Sequence, residues 1–230
     1  MPVDDLAPPS RQSTVEYLAD ELRNAVMTGQ LGQGEQLGEA RLAEHFAVSR
    51  GPLREAMQRL VSEGVLRAVR NRGVFVPDLS LDDVIDVYHT RTAIERGALH
   101  VVMSGDRSAA FRRLGPHLTA MHRAAARGNG AAVSDADLAF HQTLVDCSDS
   151  PRLIRAMRTL VVETRMCLGE LETTYGDLDT QVREHEELRD AIGDGPAGEA
   201  ERLLLVHMAD AVERLVAKRA PNDTQPRELA

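Results

Sequence analysis

A three-residue turn separates two helical patterns near the start of the chain, and it constrains the fold more than any other feature. The first pattern covers about residues 39–46, and the second follows Ser49, a residue type favoured as a helix N-cap. Pro52 falls in the first turn of the second helix, where its missing N–H costs little. Two short strand patterns about a turn at residues 71–73 come next. A helix, a tight turn, a capped helix and a β-hairpin predict a winged helix-turn-helix domain over residues 1–78.

The order of these elements predicts contact with double-stranded DNA. The capped helix can enter a major groove with its N-terminal residues leading, while the hairpin, or wing, reaches the adjacent groove or backbone. Arginine side chains at the leading end can bind guanine edges or phosphates. The residues placed there or at the wing are Ser49, Arg50, Arg54, Gln58, Arg70, Arg72 and Gly73.

The distribution of charge supports this prediction better than the net charge does. The chain has 27 Lys+Arg and 36 Asp+Glu, a formal charge of −9, which argues against indiscriminate polyanion binding. Residues 41–73 nevertheless carry seven arginines and three glutamates, a local charge of +4, in contrast to the 18 basic and 25 acidic residues (−7) of residues 79–230. Such an asymmetry indicates a nucleic-acid-binding part. A solvated helix face is the ordinary alternative.

Beyond residue 79 every pattern is helical. Ser80 opens a capping box, and paired stop and start signals, one of them at residues 175–177, divide the rest of the chain into helices. Pro116 predicts a kink or a displaced start in the second helix. Short connections favour an antiparallel bundle, so the chain is predicted to be mainly α, with an all-helical domain over 79–220 and a loose tail over 221–230. The six predicted helices cover about residues 81–104, 107–127, 131–147, 151–174, 179–193 and 196–219.

Three negative observations limit the location of the protein. The longest apolar run has four residues, 203–206, which is too short for a transmembrane helix. The first twelve residues lack the basic and apolar regions of a secretory signal. Cys147 and Cys167 do not resemble a disulfide framework and are interpreted as small apolar residues. These patterns predict a cytoplasmic protein without a membrane partner.

Four polar side chains interrupt the apolar faces of the bundle helices. Asp137 and His141 stand four residues apart on the third, His185 lies on the fifth, and His207 on the last. Buried polar groups need partners. Together the four form a possible nitrogen and oxygen ligand set for a divalent ion, with zinc as the leading candidate and nickel or manganese as alternatives. Each histidine alone is more often a hydrogen-bonded core residue.

The first third of the chain contains three ordered runs: VSRGPLREAMQRL at 48–60, EGVL at 63–66 and NRGVFV at 71–76. Together they resemble the DNA-binding domain of the GntR family of bacterial transcription regulators. The resemblance implies that Arg50 and Arg54 contact DNA and that the wing tip lies at Arg72. In some members a third arginine contacts DNA from the preceding helix; here Ala40 occupies that position and Arg41 stands beside it.

Residues 80–219 resemble the effector domain of the FadR subfamily, the FCD domain. The order of Asp137, His141, His185 and His207 carries this resemblance, which implies that these four residues hold a metal at the floor of a ligand cavity. The run RTAIE from Arg91 resembles the first helix of that domain, where an arginine faces the cavity and can pair with a ligand carboxylate. An ion pair with the glutamate four residues later is an equal alternative for this arginine. Six helices indicate the shorter, VanR-like variant.

The leading hypothesis is a ligand-responsive transcription regulator, expected to be a repressor. A two-fold dimer would read a palindromic operator, and a small carboxylate bound partly through the metal would change operator affinity. The alternative is a metal-dependent hydrolase or isomerase domain fused to a DNA-binding module, because an Asp/His₃ set can leave a position open for water. No convincing general base stands beside the four ligands in the sequence, so we expect no enzyme. A purely structural metal is a third interpretation.

Overall fold

The computed structural model of the chain describes residues 13–171, 178–196 and 198–219. The predicted stop and start at 175–177 and the predicted tail at 221–230 lie outside these residues. The chain divides into two compact units, Met1–Asp78 and Leu79–Ala230.

The first unit contains the predicted helix-turn-helix and β-hairpin, preceded by a further helix and a two-residue strand. A capping box between Ser13 and Glu16 starts the first helix, since each residue binds the backbone N–H of the other. This helix packs against the third, and both contribute fully buried leucines such as Leu22 and Leu60. The elements of the first unit are α1 (Thr14–Met27), β1 (Gln36–Leu37), α2 (Glu39–His45), α3 (Arg50–Ser62), β2 (Arg67–Val69) and β3 (Gly73–Phe75).

The predicted wing hairpin is confirmed. Strands β2 and β3 pair antiparallel with Val69 opposite Gly73, and the turn between them uses the left-handed region at Asn71 (φ 61°) and a positive φ of 107° at Gly73. Strand β1 adds a third strand that the sequence did not predict, because two residues carry no periodic signal. The Gln36 side chain donates a hydrogen bond of 2.6 Å to the Arg72 carbonyl, which ties β1 to the wing turn.

Helix α3 begins where its sequence signal indicates, with one difference at the cap. Ser49 occupies the N-cap with extended backbone angles (φ −71°, ψ 159°), but its side chain makes no capping hydrogen bond. Pro52 stands at the third helical position and has no N–H to donate, so one of the two usual donors to a capping hydroxyl is missing. The Ser49 hydroxyl is therefore not committed to the helix start.

The second unit consists of six helices over its described residues, close to the predicted bounds. Asp106 and Asn129 cap the starts of the second and third by accepting backbone hydrogen bonds of 2.9 and 3.0 Å. The second helix passes through Pro116 without a displaced start; this residue is exposed, so water can reach the carbonyl that it leaves unbonded. The helices are α4 (Leu81–Met103), α5 (Arg107–Ala125), α6 (Gly130–Asp146), α7 (Pro151–Leu171), α8 (Leu178–Gly193) and α9 (Glu199–Arg219).

The packing of these helices brings α4, α6, α8 and α9 around one interior. Helix α4 contacts α6, α7 and α9, while α8 contacts α5, α6 and α9. On one side of α4 an apolar cluster joins it to α6 and α7, with Val87, Val145 and Met157 as members. Within the described residues, no helix combines the length and apolar character needed to cross a bilayer.

Candidate functional site

The structure brings the four predicted metal ligands together. Asp137 and His141 come from α6, His185 from α8 and His207 from α9, and all four are buried. One potential ligand atom from each residue lies within 4.8 Å of those of the other three. We call these four residues the Asp/His cluster.

The atoms that face one another are three imidazole Nε2 nitrogens and one carboxylate oxygen. His141 Nε2 lies 3.1 Å from His207 Nε2 and 3.3 Å from His185 Nε2. Asp137 Oδ1 lies 3.0 Å from His185 Nε2 and also accepts a hydrogen bond of 3.1 Å from the Gln181 side chain. The cluster therefore joins side chains of three helices, α6, α8 and α9.

The other nitrogen of each imidazole fixes its tautomer. Every Nδ1 faces an oxygen that can only accept, a carboxylate or a main-chain carbonyl, so every Nδ1 carries the proton. Each Nε2 points into the cluster, and in a neutral imidazole it then presents a lone pair there. His185 Nε2 also lies 3.0 Å from the Asp137 carboxylate, which favours a proton on that atom when no metal is bound. The three hydrogen bonds are His141 to Glu95 Oε2 at 2.6 Å, His185 to the Gln181 carbonyl at 2.7 Å, and His207 to Glu184 Oε2 at 3.0 Å.

When all three imidazoles are neutral, their Nε2 lone pairs and the Asp137 oxygen face one small volume and form an electron-rich site. A cation relieves this repulsion, and histidines whose Nδ1 is held by a carboxylate or carbonyl are typical of metal ligands. The mixed nitrogen and oxygen donor set suits borderline divalent ions. The Asp/His cluster could thus hold a metal ion.

Electrostatics keep two of the ligands in the forms that bind metal. Burial acts to raise the pKa of Asp137, but the neighbouring His185 imidazole outweighs it and holds that pKa well below its usual range. Burial, assisted by His185, lowers the pKa of His207 to about 4. At neutral pH Asp137 is therefore an anion and His207 is neutral, as metal coordination requires.

Arg91 lies next to this network, in the interior of the same unit. Its Nε donates to Glu95 Oε1 at 3.1 Å, and its Nη2 lies 3.0 Å from the same oxygen. Within the described residues Nη2 has no hydrogen-bond partner, although the side chain is almost fully buried. The ion pair with Glu95 is thus present, and it leaves one buried donor of Arg91 unsatisfied.

Sequence reasoning missed two of the polar residues that orient the ligands. Gln181 precedes His185 by one helical turn, a spacing that could have suggested contact. Glu184 gave no signal, because it reaches His207 only through the packing of α8 against α9. Glu95 was considered only as a partner of Arg91, and its bond to His141 depends on the contact between α4 and α6.

The predicted DNA-binding side chains lie on the surface of the first unit. Arg54 Nε pairs with Glu39 at 2.6 Å, and Arg41 Nη2 pairs with Glu35 at 3.3 Å. Exposed ion pairs of this kind contribute little to stability, so DNA phosphates can replace the two carboxylates as partners of these arginines. The exposed residues at the start of α3, on α2 and on the wing are Arg41, Ser49, Arg50, Arg54, Gln58, Arg70, Arg72 and Gly73.

A winged helix-turn-helix unit with exposed arginines, followed by a helical unit with a buried polar cluster, is the architecture of a two-domain DNA-binding regulator. Two family models match: "Bacterial regulatory proteins, gntR family" over residues 14–76 and "FCD domain" over residues 86–210. The chain belongs to the GntR family and carries an FCD domain. This confirms the resemblances seen in the sequence and shows a DNA-binding transcription regulator.

Individual relatives agree with this assignment. The chain is 26% identical over 197 residues to the HTH-type transcriptional regulator YdhC of Bacillus subtilis, which covers 85% of this chain and 88% of the relative. It is 28% identical over 182 residues to the gluconate operon transcriptional repressor of Bacillus licheniformis, covering 77% and 74%. A putative GntR transcriptional regulator from Rhodococcus sp. RHA1 has a similar solved structure, with a TM-score of 0.76, 25% identity, and coverage of 90% of this chain and 99% of that one.

Proposed function

We propose that this GntR-family regulator is a repressor that binds a palindromic operator as a homodimer and responds to a small carboxylate. The observation that carries the proposal is the convergence of three Nε2 atoms and one carboxylate oxygen in the buried Asp/His cluster. A buried, preorganised donor set of this kind supports ligand sensing inside the helical unit.

Asp137, His141, His185 and His207 would hold a divalent metal ion. Zinc is the leading candidate, and nickel and manganese are the alternatives. When bound, the ion supplies a Lewis-acid position for an oxygen of the effector.

Arg91 supports a carboxylate as the effector class. Burial acts to lower the pKa of its guanidinium, but the Glu95 carboxylate keeps that pKa above its usual value, so the side chain stays a cation. Its unsatisfied Nη2 is a donor that a carboxylate oxygen can use. The name of a relative, a repressor of a gluconate operon, concerns the operon of a sugar acid and is consistent with this class.

A binding screen tests the effector proposal. Sugar acids, hydroxy acids and dicarboxylates are added to zinc-loaded full-length protein, and thermal shifts identify the compounds that bind the folded state. A compound that binds should also change the affinity for an operator obtained by selection from random DNA. The matched control, Arg91→Ala, should keep its zinc and lose the shift. A hit that shifts Arg91→Ala equally would contradict the role of Arg91.

The same materials test the remaining parts of the proposal. The selected DNA should be palindromic, and sedimentation should give two chains per operator. An asymmetric selected sequence bound by one chain would contradict the dimer. A bound carboxylate should be recovered unchanged after long incubation with the protein. Its conversion into another compound would instead support the alternative of a metal-dependent enzyme.

A further inference from the structure

We propose that Glu95 is a positioning residue that sets the tautomer of His141 while it holds Arg91, so that the effector arginine and the metal ligand share one carboxylate. This inference rests on the proposed metal and effector functions. It assigns to Glu95 a task that neither the metal ligands nor Arg91 can perform.

The two oxygens of Glu95 serve two different helices. Oε1 accepts from Arg91 Nε at 3.1 Å, one turn earlier on α4, and Oε2 accepts from His141 Nδ1 at 2.6 Å, on α6. The Glu95 and His141 side chains are 0% exposed and that of Arg91 is 2% exposed, so water does not compete for these bonds. The three side chains form a short chain from the unsatisfied Arg91 Nη2 to His141 Nε2.

Both partners require residue 95 to accept a hydrogen bond: one of its side-chain oxygens faces Arg91 and the other faces His141. A guanidinium has only N–H donors. His141 must carry its proton on Nδ1 if Nε2 is to present a lone pair to a metal. An ionised carboxylate offers two acceptors and meets both demands. A carboxamide of the same shape offers one acceptor and one donor, and fails at one of the two contacts.

Glu95→Gln therefore has a specific predicted consequence. The carboxamide oxygen should remain with Arg91, because an NH₂ group there would face another donor. The NH₂ group then faces His141 Nδ1, which becomes an acceptor and moves its proton to Nε2. This change removes one metal-facing lone pair with little change in side-chain volume.

Glu184→Gln is the matched control. Its carboxylate also binds a ligand imidazole, and the same oxygen meets both partners: Oε2 lies 3.0 Å from His207 Nδ1 and 3.9 Å from Arg214 Nη2. Glu184 is also partly exposed, with 24% of its side-chain surface accessible. A carboxamide can keep its oxygen on both partners and turn its NH₂ group away, so the His207 tautomer should not change.

Two measurements on the full-length chain test the inference. Long-range ¹H–¹⁵N spectra of the metal-free protein report which nitrogen of each histidine is protonated. His141 should be Nδ1-protonated in the wild type and Nε2-protonated in Glu95→Gln, while His207 should be unchanged in Glu184→Gln. Zinc affinity, measured by chelator competition, should fall about 10–100-fold in Glu95→Gln and by less than about tenfold in Glu184→Gln.

A second-site variant separates this role from a merely structural one. In the double variant Arg91→Met, Glu95→Gln no guanidinium holds the carboxamide oxygen, so the amide can turn that oxygen to His141. Nδ1 protonation and most of the zinc affinity should return relative to Glu95→Gln. If the single variant folds too poorly to assign, the double variant should still fold, because the conflict between two donors is gone.

The outcomes separate the inference from the function beneath it. If His141 keeps its Nδ1 proton in Glu95→Gln, the proposed role of Glu95 is wrong. The same conclusion follows if the double variant binds zinc no better than Glu95→Gln. It also follows if Glu95→Gln fails to fold and the double variant fails to fold as well. A wild-type chain with the expected tautomers and no zinc affinity overturns the metal site and leaves the tautomer assignment in place.

Discussion

The two units of this regulator place their functional side chains in opposite environments. In the winged-helix unit the arginines predicted to bind DNA are exposed, and Arg54 and Arg41 form ion pairs with nearby glutamates. In the helical unit the Asp/His cluster is buried, and each imidazole is oriented by an acceptor behind it. A surface site can exchange its partners when DNA arrives, whereas a buried site must be preorganised.

This contrast sets the size of the mutational effects. Exposed ion pairs contribute about 0–1 kcal/mol and are screened by salt. A buried polar group that loses its partner costs about 1–3 kcal/mol, and more when it is charged. Substitutions in the cluster should therefore have large, coupled effects, and those on the DNA-binding face should have smaller effects that add independently.

The largest effect is expected for His185→Ala. His185 Nε2 lies next to both Asp137 and His141, so the substitution removes a ligand from the middle of the cluster. Zinc affinity should fall by more than about 100-fold, beyond the range for residues that only orient a ligand. Elemental analysis of the purified protein measures the loss. His117→Ala, a bundle histidine hydrogen-bonded to Thr143 outside the cluster, is the control and should keep its metal. Full metal content in His185→Ala would remove this residue from the ligand set.

The next effect concerns the DNA-binding face. Arg50→Ala should weaken operator binding by about 1–3 kcal/mol, the range for the loss of one specific base contact. The thermal stability should not change, because Arg50 is exposed. Gel shifts against the selected operator measure the loss. Arg112→Ala, an exposed arginine of the helical unit, should leave binding unchanged. Equal affinity of Arg50→Ala and wild type would contradict the placement of α3 in the groove.

A pH dependence should separate the units further. Burial acts to lower the pKa of His185, but the Asp137 carboxylate outweighs it and keeps that pKa above its ordinary value. His185 thus accepts a proton while the pH is still relatively high, and this proton competes with the metal for Nε2. Zinc affinity should fall by up to about tenfold per pH unit between about pH 7.5 and 5.5.

His207 should add little to this slope, because its pKa of about 4 lies below the range. Zinc competition titrations at several pH values measure the profile, and Asp137→Asn should flatten the contribution of His185. A wild-type zinc affinity that does not change over this range would contradict the pairing of His185 with Asp137.

The smallest effect is expected for Glu39→Gln. The substitution releases Arg54 from its ion pair, which is exposed and contributes at most about 1 kcal/mol. Affinity for DNA should rise by up to about fivefold, because Arg54 no longer has to break an ion pair with Glu39 before it binds a DNA phosphate. Fluorescence anisotropy at fixed salt measures the change. Glu44→Gln, on an exposed residue of the same helix, controls for the loss of one negative charge. A weaker complex in Glu39→Gln would show instead that Glu39 orients Arg54.

Local sequence signals predicted the fold of both units well. The turn before Ser49 and the apolar pattern of α3 lie close together in the sequence, so a short stretch of residues predicts them. The wing was predicted from its turn, which contains residues that tolerate a positive φ. Strand β1 was missed because its pairing with β3 depends on a residue pair almost forty positions apart, Gln36 and Phe75.

The polar network of the helical unit shows what a single sequence does not reveal. The four members of the Asp/His cluster were found because they interrupt apolar faces. The residues behind them were not, because Glu95 and Glu184 belong to helices that also carry ordinary surface acids, and only helix packing distinguishes them. The tautomers, and thus the direction of each lone pair, follow from these contacts alone.

An anomalous difference map from crystals of the chain grown with zinc would show directly whether the Asp/His cluster binds a metal ion. We predict one strong peak per chain inside the Asp/His cluster, about 2.0–2.2 Å from the Nε2 atoms of His141, His185 and His207 and from a carboxylate oxygen of Asp137. A map with no peak among these four residues, or with zinc bound only elsewhere, would contradict the account.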